Sequence, residues 1–235
     1  METWASPYLA AQAAYLRYLA TAPAATVLEA DGVYAVRTGV ASNSENGAIS
    51  PGDVAVEAEV ARRVVGWFQE PAAWLCAEGE ARSATARLLE AFGCRPERTA
   101  WEMRARLDQL DLDDLCVPAG VRIEPVPAEH GRDIVRYAAR HRDAAVGTAS
   151  AFYGAPTVLL TGVSVVETAR RRGIGRALAL TRLREARERG CKLAVLAASP
   201  EGARLYEALG FETHRQPANR CFYLPPTAPA DRPRR

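Results

Sequence analysis

Residues 157–177 read TVLLTGVSVVETARRRGIGRA. The first ten, TVLLTGVSVV (157–166), are apolar and rich in β-branched side chains, which predicts a central strand. GIGRALALTRLREARER (173–189) places Ile174, Ala177, Leu178, Leu180 and Leu183 mostly on one broad side, an amphipathic helix. Between them lies ETARRRGIGRA (167–177). Gly173 and Gly175 leave backbone amides uncrowded at a helix start, where those amides have no intrahelical partner. With the helix dipole and Arg170, Arg171, Arg172 and Arg176 around them, they form a cradle suited to a diphosphate. Taken alone, the same residues also describe a helix capped by glycines under a solvated basic run.

Working outward, VRIEPV (121–126) alternates as a strand, and IVRYAARH (134–141) pairs with AVGTASAFYG (145–154) across Arg142-Asp143. KLAVLAA (192–198) reads as a second buried strand, PEGARLYEALG (200–210) as a helix, and FETHRQ and NRCFYLP as closing strands. The result is an α+β fold, a mixed α/β sheet with antiparallel edges. Its order is not doubly wound, and its glycines are too few for a dinucleotide fingerprint.

The first half repeats this design. ARLLEAFGC (86–94) and ARLYEALGF (203–211) are identical at six of nine positions, 117 residues apart. RTAWEMRARL (98–107) and NRCFYL (219–224) follow them as strands. Upstream, VEAEVARRVVGWFQE (56–70) falls over the helix from Gly173, and AAWLCAE over CKLAVLA. The chain is therefore expected to divide into domains of residues 1–110 and 119–226, joined by the acidic stretch 107–120, with a flexible tail at 227–235. At the N terminus, residues 6–20 read as a helix capped by Ser6 with Pro7 in its first turn. ATVLEA and VYAVRTG form a hairpin around Asp31-Gly32, and SNSENGAISPG (42–52) reads as loop.

Composition narrows the function. The 235 residues carry a net charge of +2, 49% hydrophobic and 25% charged residues, which gives no global field toward nucleic acid. Lys192 is the single lysine, and about one residue in five is alanine. That pattern reflects coding bias, so arginine counts carry little. No apolar run is long enough for a membrane span, and METWASPYLAAQ lacks the basic start of a secretory signal. Cys76, Cys94, Cys116, Cys191 and Cys221 are odd in number and widely spaced, and the three histidines are scattered. The expectation is reduced thiols, no metal site and a cytoplasmic protein.

VSVVETARRRGIGRA resembles the signature of the GNAT N-acetyltransferase superfamily, [Arg/Gln]-x-x-Gly-x-[Gly/Ala], matched by Arg170, Gly173 and Gly175. SPEGARLYEALGF (199–211) resembles that family's second block, which ends in LYxxxGF. The resemblance covers about residues 120–226. It implies the GNAT acyl-CoA fold, duplicated in tandem with a non-catalytic N-terminal copy. It implies acetyl-CoA as cofactor, with the pantetheine arm along residues 157–166 on the backbone of Val163, Val165 and Val166. The diphosphate then meets the amides from Arg171 through Ile174 and Gly175 to Arg176. Tyr206 falls where the family's general acid sits, and its counterpart in the first half is Leu89, expected to fill core.

The general base stays open. Glu167 follows the strand, in a position often proline in the family. Ser164 alternates with the pantetheine contacts and is placed to orient a water; Asp143, His141 and Glu129 are more remote. Ser199 stands where the family often has asparagine, and Gly202 replaces an alanine. Only VPAEHGRD (126–133) separates the first two strands, where the family has two helices walling the acceptor. The first half is expected to supply that wall, with Trp4, Tyr8, Tyr15, Trp67, Trp74 and the exposed Asn43, Glu45 and Asn46 as candidates. Asp111, Asp113 and Asp114 offer charge for a basic acceptor. The expected activity is transfer of an acetyl or other acyl group from acetyl-CoA to a small-molecule primary amine, by a monomer or homodimer. A non-catalytic CoA-binding module and a protein N-terminal acetyltransferase are the alternatives.

Overall fold

The computed structural model describes residues 6–50, 55–76, 80–96, 100–126, 131–213 and 221–224. The chain forms two compact units. One comprises residues 1–99 with 218–235, the other residues 100–217.

In the first unit, α1 (Pro7–Leu19) precedes β1 (Thr26–Ala30), β2 (Val33–Arg37) and β3 (Gly47–Ser50); α2 (Ala58–Trp67), β4 (Ala72–Cys76), α3 (Glu80–Ala91) and β5 (Arg95–Pro96) follow. Ser6 Oγ accepts the Leu9 N–H at 3.2 Å, so α1 starts where its cap residue stands. Leu9, Ala13, Leu16 and Leu19 face the core. Asp31 and Gly32 both hold positive φ, the conformation a two-residue hairpin turn requires.

The second unit begins with β6 (Trp101–Arg106). It continues through β7 (Val121–Val126), β8 (Ile134–His141), β9 (Ala144–Gly154), β10 (Thr157–Val165), α4 (Ile174–Glu188), β11 (Leu193–Ala198), α5 (Pro200–Glu207) and β12 (Glu212–Thr213). A last strand, β13 (Cys221–Leu224), belongs to the first unit. The first sheet runs β1-β2-β3-β4-β13-β5 and the second β12-β6-β11-β10-β9-β8-β7. Each has one parallel pair, β3 with β4 and β10 with β11, and otherwise antiparallel neighbours. Apart from β7, the two orders superpose strand for strand. The duplication read from residues 86–94 and 203–211 is thus repeated in the topology.

Three expectations change. The boundaries fall at 99/100 and 217/218, not at a joint over 107–120. Within the duplication β6 and β13 are equivalent strands, yet β6 pairs with β11 and β13 with β4. Each sheet takes this strand, which lies between a central strand and a short edge strand, from the other half of the chain, a swap that equivalent strands allow. Phe222 and Leu224 thereby enter the first core, and Met103 and Ala105 the second. Burying each of the larger side chains contributes about 1.5–3 kcal/mol.

The expected linker is part of the second unit. Leu107, Leu110 and Leu112 are buried, and the carbonyls of Leu107, Leu110, Leu112 and Asp113 accept bonds from Arg187 and Arg184 on α4. Finally, SNSENGAISPG contains β3, all four residues of which are buried. Asn46 and Glu45 are buried rather than exposed. The Asn46 side chain accepts the Thr38 N–H at 2.8 Å and donates to the carbonyls of Val40, Ser42 and Pro71, so this amide ties the loop down. Trp4, Glu129, the end of FETHRQ and the tail 227–235 lie outside the described residues.

Candidate functional site

β10 pairs with β9 along most of its length but with β11 only from Thr157 to Leu160. Both strands continue past that point, β10 to Val165 and β11 to Ala198. The break coincides with a bulge: Thr161 faces Ser150, Ser164 faces Thr148, and Gly162 between them holds φ 62°. That dihedral strains an L side chain and suits glycine.

Past the bulge the backbone groups alternate in direction. Val166 donates its N–H to Val146 O at 3.0 Å, on the β9 side. The polar groups of Val163 and Val165 consequently point away from β9, into the gap beside β11. Of the three valines expected to present backbone, Val163 and Val165 do so and Val166 does not. Val165 O accepts from Arg170 Nε at 3.1 Å. The side chains of Val163 and Val165 pack toward α4 with Ile174 and Leu178, while Ser164 is exposed on the other face. Glu167 is exposed in a short 3-10 turn, Glu167–Ala169.

The strand then delivers the chain to the start of α4. Gly173 is the N-cap at φ 81°, and no side chain caps this end. The first backbone bond of the helix runs from Ala177 N–H to Gly173 O at 3.0 Å. The amides of Ile174, Gly175 and Arg176 are therefore aimed out of the helix end. By contrast α1 and α5 are capped by Ser6 and Ser199, the latter accepting the Gly202 N–H at 3.2 Å. Ile174 itself is buried and offers only its amide. Arg170, Arg171 and Arg172 are exposed beside the amides, and Arg176 pairs with Asp114 at 2.9 Å. Bare donors beside exposed guanidinium groups fit a diphosphate, and the unpaired edge of Val163 and Val165 fits an amide-bearing arm.

Tyr206 lies on α5 with its ring buried edge-to-face against Phe211, centroids 5.3 Å apart. Its hydroxyl accepts from Arg182 Nη2 at 3.1 Å. The same guanidinium donates through Nη1 to Thr161 O at 3.1 Å and to Ser150 O at 2.8 Å. One fully buried arginine thus joins the tyrosine to the last paired residues before the bulge. Sequence reasoning missed Arg182, one of four arginines on its helix. The available signal was its spacing, four residues after Leu178 and four before Ala186, which puts it on the apolar stripe.

His141 ends β8 near Gly120, and Asp143 is exposed and paired with Arg122 at 3.4 Å. Trp74 is core, its Nε1 donating to Ser50 Oγ at 3.1 Å, and Leu89 is fully buried. Tyr8 accepts from Gln12, the Tyr15 hydroxyl donates to Ser44 O, and Trp67 stacks under Arg37. Burial pushes the Cys94 thiol up to about 11 and raises that of Cys191. Tyr137 and Tyr153, hydroxyl to hydroxyl at 2.8 Å beside Glu185, are both held above the usual phenol range, chiefly by burial. Among the described residues no group of three or more His, Cys, Asp or Glu side chains is placed to hold a metal, and no helix is long and apolar enough to cross a membrane.

Residues 95–211 match the acetyltransferase (GNAT) family, and this domain of the chain belongs to it. No curated protein matches the sequence. Among solved structures it is similar to a GCN5-related N-acetyltransferase from Kribbella flavida, with TM-score 0.65 and 17% identity over 96% of this chain and 97% of that one. A GCN5-related N-acetyltransferase-like protein from Streptococcus suis gives 0.61 and 17%, covering 92% and 98%. A tandem GNAT protein from the clavulanic acid biosynthesis pathway gives 0.51 and 16%, covering 90% and 86%. The mixed sheets are those of the GNAT acyltransferase fold, and the family's reaction is acyl transfer from acyl-CoA.

Proposed function

We propose that the second unit binds acetyl-CoA and transfers its acetyl group directly to the primary amine of a small molecule. The observation that carries this reading is the continuity of the β10 edge, unpaired past Leu160, with the uncapped start of α4. The amides of Ile174, Gly175 and Arg176, with Arg170, Arg171 and Arg172, would hold the diphosphate. Val163 and Val165 would hold the pantetheine amides by main-chain bonds, and Ser199 and Val166 would flank rather than bind. When bound, acetyl-CoA supplies an activated thioester carbonyl and a sulfur leaving group.

Tyr206 Oη holds a proton that it can give to that sulfur as the carbon–sulfur bond breaks and the carbon–nitrogen bond forms. Ser164, exposed on the opposite face of β10, would order the water that removes the proton from the incoming amine; Glu167 is the second candidate for that step. Holding amine and thioester together supplies much of the remaining rate enhancement. The first unit is the non-catalytic copy. Glu57 and Glu59 stand at the start of α2 in place of the glycine-arginine loop, and a carboxylate there opposes an anion. Leu89 takes the place of the tyrosine.

The test is thiol release from acetyl-CoA across a panel of small amines and N-terminal peptides. Tyr206→Phe should lower kcat by about 100-fold or more while leaving CoA affinity nearly intact. An unchanged rate removes Tyr206 from the mechanism. CoA binding without thiol release from any amine would instead identify a binding module.

A further inference from the structure

Arg182 is fully buried on α4, yet no acidic side chain among the described residues pairs with it. A buried charge is costly unless its donors are used. Here four of the five are: Nε donates to Leu178 O at 3.2 Å, Nη1 donates to Ser150 O and Thr161 O, and Nη2 donates to Tyr206 Oη. Every acceptor but one is a backbone carbonyl. The exception is the phenol oxygen.

A guanidinium has donors and no acceptor. Tyr206 must therefore receive from Arg182, and its own hydroxyl proton is excluded from that side. One of the carbonyls that share the guanidinium belongs to Thr161, the first residue of β10 past the end of its pairing with β11 at Leu160. The tyrosine hydroxyl and the strand opening are thus referenced to one rigid planar group.

We propose that Arg182 is a positioning residue for acyl transfer: it fixes Tyr206 Oη relative to the parting of β10 and β11 and leaves the phenol proton free to be donated there. This rests on the reading of the second unit as an acetyl-CoA-dependent transferase. A purely structural arginine would serve the fold equally with phenylalanine at position 206.

The experiment compares Arg182→Met and Arg182→Lys in the wild-type and Tyr206→Phe backgrounds, with CoA affinity measured by calorimetry. In the wild-type background kcat should fall about tenfold or more for Arg182→Met and less for Arg182→Lys. In the Tyr206→Phe background the same substitutions should change kcat by less than about twofold. Equal losses in both backgrounds, or a loss confined to KM, overturn the proposal. A second readout needs no turnover: the ring-carbon Cζ resonance of Tyr206, recorded without ligand, should move in Arg182→Lys because its hydrogen-bond donor is withdrawn. A resonance that stays in place overturns the proposal even if the wild-type chain proves to acetylate nothing, in which case the transferase reading fails separately. Should Arg182→Met not fold, Arg182→Lys carries both readouts.

Discussion

The two glycines at the start of α4 should respond to alanine with opposite signs. Gly173 holds φ 81°, and a Cβ built there would meet only Pro118 Cγ at 3.6 Å. The space is ordinary, so the cost of Gly173→Ala is torsional, about 1–2 kcal/mol for an L residue in the left-handed region. Gly175 lies inside the first turn without positive φ, and its Cβ would touch Leu205 Cδ2 at 3.6 Å and Val165 Cγ2 at 3.9 Å, both normal contacts. Gly175→Ala adds helix propensity and removes unfolded-state freedom, a gain of about 0.5–1 kcal/mol. That Cβ points at Leu205 and Val165 rather than out of the helix end, so the bare amides stay accessible. Urea unfolding with fluorescence detection gives the stability difference, and calorimetry with CoA gives the binding. Gly173→Ala should unfold earlier and lose CoA affinity, because relaxing φ turns the amides. Gly175→Ala should unfold later and bind as wild type. Equal destabilisation by both substitutions would refute the geometry assigned to this turn.

Other expectations follow from the same structure. Glu70 accepts two bonds from Arg37, at 2.8 and 3.1 Å, and the hydrogen bonding from that guanidinium holds its carboxyl below the usual range. Arg37→Gln should cost about 1–2 kcal/mol at neutral pH. Because the folded value is depressed, this contribution is present above the ordinary glutamate range and lost as pH falls through the lower folded value. The difference between the two proteins, measured by denaturant midpoints, should be flat from about pH 6 to 8 and shrink below about pH 4. With a thiol reagent near neutral pH, exposed Cys116 should react first, and buried Cys76, Cys94 and Cys191 only on unfolding. Mass spectrometry of labelled peptides decides the order.

Local chemistry was legible in the sequence wherever the signal is short-range. Ser6-Pro7, the Asp31-Gly32 turn and the stripe of Ile174, Ala177, Leu178 and Leu183 each carry their own steric or hydrophobic instruction, and each stands in the structure as read. The uncapped start of α4 was legible for the same reason: Gly173 and Gly175 act on their own backbone. Pairing partners were not. β6 and β13 hold the same place in the repeat, and nothing local to WEMRAR or CFYL states which central strand each will join. Leu107, Leu110 and Leu112 were hidden by the aspartates between them, since an acidic run with buried leucines resembles a solvated linker. Asn46 and Arg182 are polar residues whose burial depends on carbonyls from distant segments, and local patterning does not encode such partners. The Tyr206 hydroxyl was named by resemblance, whereas the guanidinium that donates to it is a tertiary fact.

The central claim is that phosphates of CoA rest on the amides of Ile174, Gly175 and Arg176 while its arm lies along Val163 and Val165. Titrating CoA into isotope-labelled protein and following backbone amide resonances tests it directly. The expected result is a saturable shift of those five amides, with no response at Glu57–Glu59 in the first unit. Binding that leaves residues 174–176 unmoved, or that shifts the start of α2 instead, would contradict it.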